Sequence, residues 1–230
     1  MCDKMKILVL ADIHGEFIKA GSVIDKINTK GIDLILCPGD FTDMFNIPEG
    51  FSQMDVADMV LQKILSLGIP TLCVPGNHDP YEILELFKEY ETNLHARVRD
   101  IKGHVFLGFG GAPTPFGTTF EPSEEETREE LQRLGKQVKK NNFVLVVHNP
   151  PKDTKLDLAA TGKHVGSRAI REFIEKKQPL LAISAHIHEA AGLDSIGETT
   201  VFYPGCVFNG KYGIVEIKGG SVTCKSMRVR

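Results

Sequence analysis

Five short apolar runs in this chain each stop at a side chain that can hold a metal ion. Residues 6–11 (KILVLA) stop at Asp12-Ile13-His14, residues 33–37 at Pro38-Gly39-Asp40, and residues 69–74 at Pro75-Gly76-Asn77-His78-Asp79. Residues 143–147 stop at His148, and residues 180–184 at Ala185-His186-Ile187-His188. Runs this short and this apolar read as strands buried on both faces, and the polar residues after them read as turns. Helical spacing of apolar residues fills the gaps. It predicts helices over 18–27 (Ile18, Val23, Ile24 and Ile27 inward, Gly31 as stop) and over 56–67 (Val56, Met59, Val60, Ile64 and Leu67 inward, Gly68 as stop). Further helices are expected over 81–90, over 124–140 after a capping box at Ser123, and over 168–177. Strands are also expected over 104–109 and 200–203, with a hairpin of 213–218 and 222–229 turning at Gly219-Gly220. Alternating strands and helices imply an α/β protein with a largely parallel sheet. In such sheets the strand C-termini gather along one edge, where residues distant in sequence converge.

Composition removes several classes. A chain of 230 residues, 42% hydrophobic and 25% charged, has the make-up of an ordinary globular domain, and residues 1–230 read as one domain without linkers. A net charge of -3 offers no phosphate track, so nucleic acid is not an expected partner. Five irregularly spaced cysteines make neither a disulfide framework nor a zinc ribbon; Cys37 and Cys73 read as core residues. With a first strand at Lys6 and no long apolar stretch, the expected setting is cytoplasmic, away from membranes.

The strand-end residues are carboxylates, imidazoles and an amide, with no thiolate. That set suits divalent manganese, iron, zinc or nickel. Alternation puts Asp12 and His14 on one side of the chain, and likewise His186 and His188. Asp12, His14, Asp40, Asn77, His148, His186 and His188 are too many for one tetrahedral ion and suit two ions sharing a carboxylate. A single histidine or a single Asn-His-Asp turn would pass as ordinary loop chemistry. Five together do not.

The order DxH, GD, GNHD, a lone strand-end His, then HxH, resembles the calcineurin-like metallophosphoesterase superfamily, and the resemblance spans residues 12–188. The pattern around His164, Gly166 and Ser167, followed by AHIHE, is most similar to a bacterial and archaeal branch of phosphoesterases. The resemblance implies a four-layer α/β/β/α sandwich of two mixed sheets with a binuclear metal site at the strand C-termini, manganese being the first choice. It implies that Asp12, His14 and His188 bind one ion, that Asn77, His148 and His186 bind the other, and that Asp40 bridges. It makes His78 the catalytic histidine and Asp43 the acid orienting it. The expected reaction is hydrolysis of a small phosphate ester by in-line attack of a hydroxide bridging the metals.

Two departures matter. Met44 follows Asp43 where the protein-phosphatase branch carries a clamping Arg, which favours a diester over a phosphoprotein. Ala185 replaces the usual Gly before HxH. Around the site, His164 is a candidate substrate contact, Phe116 and Phe120 candidate pocket walls, and Arg168 a candidate clamp; His95 and His104 read as structural. The alternatives are a nuclease of the same superfamily, which usually adds a capping domain not expected in this chain, or a metal-bound scaffold without turnover. Oligomeric state, a homodimer included, stays open.

Overall fold

A computed structural model describes residues 4–139 and 141–229. Cys2 and Lys140, the expected end of the helix after Ser123, lie outside the described residues. The elements are β1 (Lys4–Val9), α1 (Phe17–Asp25), β2 (Leu34–Cys37), α2 (Gln53–Leu65), β3 (Thr71–Cys73), α3 (Ile83–Glu89), β4 (Arg97–Ile101) and β5 (His104–Phe109). Then come α4 (Glu124–Gly135), β6 (Val144–Val147), α5 (Arg168–Lys177), β7 (Leu181–Ile183), β8 (Gly192–Ile196), β9 (Thr199–Tyr203), β10 (Lys211–Lys218) and β11 (Ser221–Arg228).

These strands form two mixed sheets rather than one largely parallel sheet. The first has the order β11-β10-β1-β2-β3 and the second β4-β5-β6-β7-β9-β8. Strands β1, β2 and β3 run parallel, as do β5, β6, β7 and β9, and the other pairings are antiparallel. Alternation along each central strand divides its side chains between two cores. Ile7, Leu36 and Val74 of the first sheet meet Phe106, Val146 and Phe202 of the second. On the outer faces, Leu8 and Ile35 pack with Ile24 and Leu61 of α1 and α2, and Leu145 and Ala182 pack with Leu131 and Ile174 of α4 and α5. The layers are therefore α/β/β/α. Each fully buried aliphatic side chain contributes roughly 1.5–3 kcal/mol.

Helix ends are where sequence spacing misleads most. Helix α1 stops at Asp25, well before Gly31, and Ile18 is 75% exposed because the inward face is carried by Phe17, Ala20 and Ile24. Helix α2 starts at a capping box of Ser52 and Asp55, ahead of the first apolar residue, and Met59 is 37% exposed. The capping box at Ser123 and Glu126 starts α4 as expected, but the helix ends at Gly135. Strands β4 and β8 were not expected: both lie on the rim of the second sheet and carry charged residues among few apolar ones. No helix among the described residues is long and apolar enough to cross a membrane.

Candidate metal centre

The parallel strands of both sheets point their C-terminal ends at one place. There the chain bends sharply: Asp12, His14, Asp40 and His186 have φ of 52°, 52°, 54° and 77°. Left-handed backbone is costly for non-glycine residues and accumulates where function needs it. Close approach explains Gly39, where an added Cβ would stand 2.5 Å from the Gly76 nitrogen and 2.7 Å from His148 Nδ1. A Cβ on Gly76 would run into the Asp40 carboxylate. The two glycines let the β2 and β3 turns lie against each other.

Two sets of donors meet there. Asp12, His14, Asp40 and His188 form one, and Asp40, His148 and His186 form the other, with the donor atoms within each set lying within 4.8 Å of one another. Asp40 belongs to both. Its Oδ2 is 3.2 Å from His14 Nε2 and 3.3 Å from His148 Nε2, while its Oδ1 accepts from the His78 backbone N–H at 2.9 Å. His14 Nε2 and His188 Nε2 are 3.1 Å apart. Asn77 joins the second set, its Oδ1 lying 2.9 Å from His148 Nε2.

The protonation pattern shows that this constellation calls for cations. His148 donates Nδ1–H to the Pro38 carbonyl at 2.8 Å, which leaves Nε2 facing two oxygens, Asn77 Oδ1 and Asp40 Oδ2. A neutral imidazole would meet both with a lone pair, so a proton or a metal ion belongs in that gap. Burial opposes charge on His14, yet Asp40, Asp43 and Asp12 outweigh it and push its pKa up to about 11. For His148 burial is likewise outweighed by Asp40 and Asp12, giving about 9. Burial, with the nearby His148 charge, pushes His186 down to about 3, so its ring offers a lone pair. Burial also resists ionisation of Asp40, but His148 and His14 hold it well below the usual carboxylate range. Imidazole, carboxylate and amide donors gathered this way fit divalent ions.

Outer partners hold these groups in place. Tyr203 donates its hydroxyl to Asp12 Oδ2 at 2.6 Å, and Asn77 Nδ2 donates to Thr118 Oγ1 at 3.1 Å, which turns Oδ1 toward His148. Asp43 lies 3.2 Å from His78 Nδ1 and 3.9 Å from His14 Nδ1, so it serves both rings. Its approach to His78 is off the hydrogen-bonding direction, and Nδ1 makes no hydrogen bond. Asp79, the third polar residue of its turn, points the other way. Its carboxylate accepts from the backbone N–H groups of Phe41, Thr42 and Gly76 and from the Thr42 hydroxyl, bracing the β2 and β3 turns.

The calcineurin-like phosphoesterase family matches residues 5–190, from β1 through both donor sets. The chain belongs to that family. It is a metal-dependent phosphoesterase with two potential metal-binding clusters. Protein MJ1162 of Methanocaldococcus jannaschii is 34% identical over 211 residues, 89% of each chain. Among solved structures, TT1561 of Thermus thermophilus superposes with a TM-score of 0.73 at 18% identity, covering 98% of this chain and 99% of that one. A dimetal phosphatase from Danio rerio gives 0.62 at 12% identity, covering 98% and 99%. Those two likenesses concern the fold.

Around the centre of this phosphoesterase, the other candidates separate. His164 turns its Nδ1 to the buried Asp157 at 2.7 Å, and the neighbouring Val165 lines the cavity over the two donor sets. Phe116 lines that cavity, whereas Phe120 is buried against Tyr81 and His95. His95 accepts from the Gly110 N–H and is held neutral by burial, with a pKa of about 4. Arg168 lines a different cleft with Arg128 and Lys152. Sequence reading missed Tyr203 and Thr118. Tyr203 ends an apolar run that turns at Pro204-Gly205, the same signature that singled out Asn77, and that signal would have found it. Thr118 sits in a loop rich in Gly, Pro and Thr, and nothing in its spacing distinguishes it.

Proposed function

We propose that the chain hydrolyses a phosphate ester, a diester in preference, using two divalent ions with manganese as the first choice. The observation that carries this reading is Asp40, whose Oδ2 is shared by both donor sets. In this reading Asp12, His14 and His188 hold one ion, Asn77, His148 and His186 the other, and Asp40 bridges them. When bound, such a pair supplies Lewis acidity and a hydroxide nucleophile at neutral pH. The protein residues do the rest. Loaded with two dications against the carboxylates of Asp12 and Asp40, the floor of the cavity would carry net positive charge and draw in a phosphate. His78 lines the cavity beside Asn77 and has Asp43 against Nδ1, leaving Nε2 to give a proton to the leaving oxygen. Met44, a hydrogen-bond acceptor for Thr119 through sulfur, adds no cation for the second charge of a monoester.

The experiment uses two diesters that differ only in the leaving group, nitrophenolate or an alkoxide, with manganese-loaded protein. His78→Gln should keep its metal, lose little on the nitrophenyl ester and lose about 10²–10⁴-fold on the alkyl ester. Asp43→Asn should show the same selectivity more weakly. Equal losses on both esters would make His78 a stabiliser of phosphoryl charge instead of a proton donor. Turnover of phosphoserine protein with none of either diester would overturn the diester preference.

A further inference from the structure

Resting on that reading, we propose that the substrate carries an apolar, ring-sized group beside its phosphate and no second anionic group. A cavity of about 450 Å³ stands directly over the two donor sets and includes His14, Asp40, Asn77, His78, His186 and His188 in its lining. Above that floor its walls are Pro113, Pro115, Phe116, Ala160, Val165 and Ile187. No lysine or arginine lines it among the described residues, and the one charged wall residue is Glu189. A second phosphate or carboxylate on the substrate would find no cation there and one carboxylate to repel it.

The walls are fixed before any ligand arrives. The Thr114 and Thr118 hydroxyls both pin to Glu121, and the Phe116 N–H donates to Thr114 Oγ1 at 3.2 Å. On the opposite wall the Ala160 N–H donates to Glu189 Oε1 at 2.7 Å, tying that loop to the turn carrying His188. Preorganised apolar walls hold an apolar group at little ordering cost. Phe116 is 75% exposed, an aromatic ring at the mouth that a substrate ring would cover. The cations Arg128, Lys152 and Arg168 line a neighbouring cleft that shares only Pro113 with this cavity. Arg128 is committed to Glu125 and Glu172, and Lys152 to the His164 carbonyl. A substrate reaching them would have to cross the Pro113 wall.

The test compares three phosphodiesters that all release nitrophenolate and differ in the second alcohol: methyl, phenyl and carboxyphenyl. With manganese-loaded protein, kcat/KM for the phenyl ester should exceed that for the methyl ester by about tenfold or more. The carboxyphenyl ester should fall below the phenyl ester by a similar factor. Phe116→Ala should bring the phenyl ester down toward the methyl ester. Glu189→Gln, which keeps an acceptor for Ala160, should recover part of the carboxyphenyl loss. Calorimetric binding of phenylphosphonate and methylphosphonate supplies a readout without turnover, and the phenyl compound should bind about tenfold tighter. Turnover with no phenyl preference, or with the carboxyphenyl ester favoured, overturns the inference and leaves the hydrolytic reading standing. A phenyl preference in binding without turnover of any ester supports the cavity and faults the hydrolytic reading.

Discussion

The two donor sets that share Asp40 are built differently. The set of Asn77, His148 and His186 is braced: the His148 side chain is 0% exposed, its far nitrogen is tied to the Pro38 carbonyl, and Asn77, which lines the cavity with His186, is tied to Thr118. The set of Asp12, His14 and His188 opens to the cavity, and the His188 side chain is 35% exposed on a short turn next to Phe208. The lesson is a division of labour. A braced set with its donors fixed by the fold should retain its ion, and the more open set should exchange its ion more readily.

The largest effect should come from removing what the two sets share. Asp40→Asn should strip metal from both sets and abolish hydrolysis, exceeding the roughly 10–100-fold cost of changing an outer partner. Metal analysis after gel filtration checks it. If Asp12→Asn or His148→Ala released more metal in total, Asp40 would not bridge.

Outer partners act on one set at a time. Tyr203→Phe takes the donor from Asp12 Oδ2 and should weaken only the open set's ion, by about 10–100-fold. Thr118→Val should do the same to the braced set through Asn77. Two-phase metal titrations of the variants separate the effects, and a shift of the same phase in both would contradict the assignment.

Proton competition gives the smallest effect. With Asp40 and its neighbours raising His14 to about 11 and His148 to about 9, an incoming ion should displace a proton from each ring at pH 7. Affinity should therefore climb with pH by at most about tenfold per unit per proton. The braced set should level off near pH 9, while the open set continues to gain. Calorimetric titration in buffers of different ionisation enthalpy should register proton release on binding; none would show that the imidazoles are already neutral.

What was legible in the sequence was the part that local pattern determines. Buried central strands are apolar throughout, and their ends are marked by Asp12, Asp40, Asn77, His148 and His186, so the donor set could be read before any geometry. The pairing of strands was less legible, because β4 (RVRDI) and β8 (GLDSI) sit at the sheet rim, where one solvated face removes the apolar signal. Helix ends depended on capping at Ser52 and on the early stop of α1 at Asp25, which Gly31 does not report. Outer partners such as Thr118 act across long loops and have meaning only once the chain has folded around Asn77. His164 adjoins the cavity wall in sequence, and its Nδ1 is held by Asp157, a partner that only the folded chain brings to it.

The most direct measurement is anomalous diffraction from crystals of the manganese-loaded protein. The account predicts two peaks about 3.5–4 Å apart on either side of Asp40 Oδ2. One should lie against Asp12, His14 and His188, the other against Asn77, His148 and His186. A single peak at full loading, or two peaks with Asp40 touching only one of them, would contradict it.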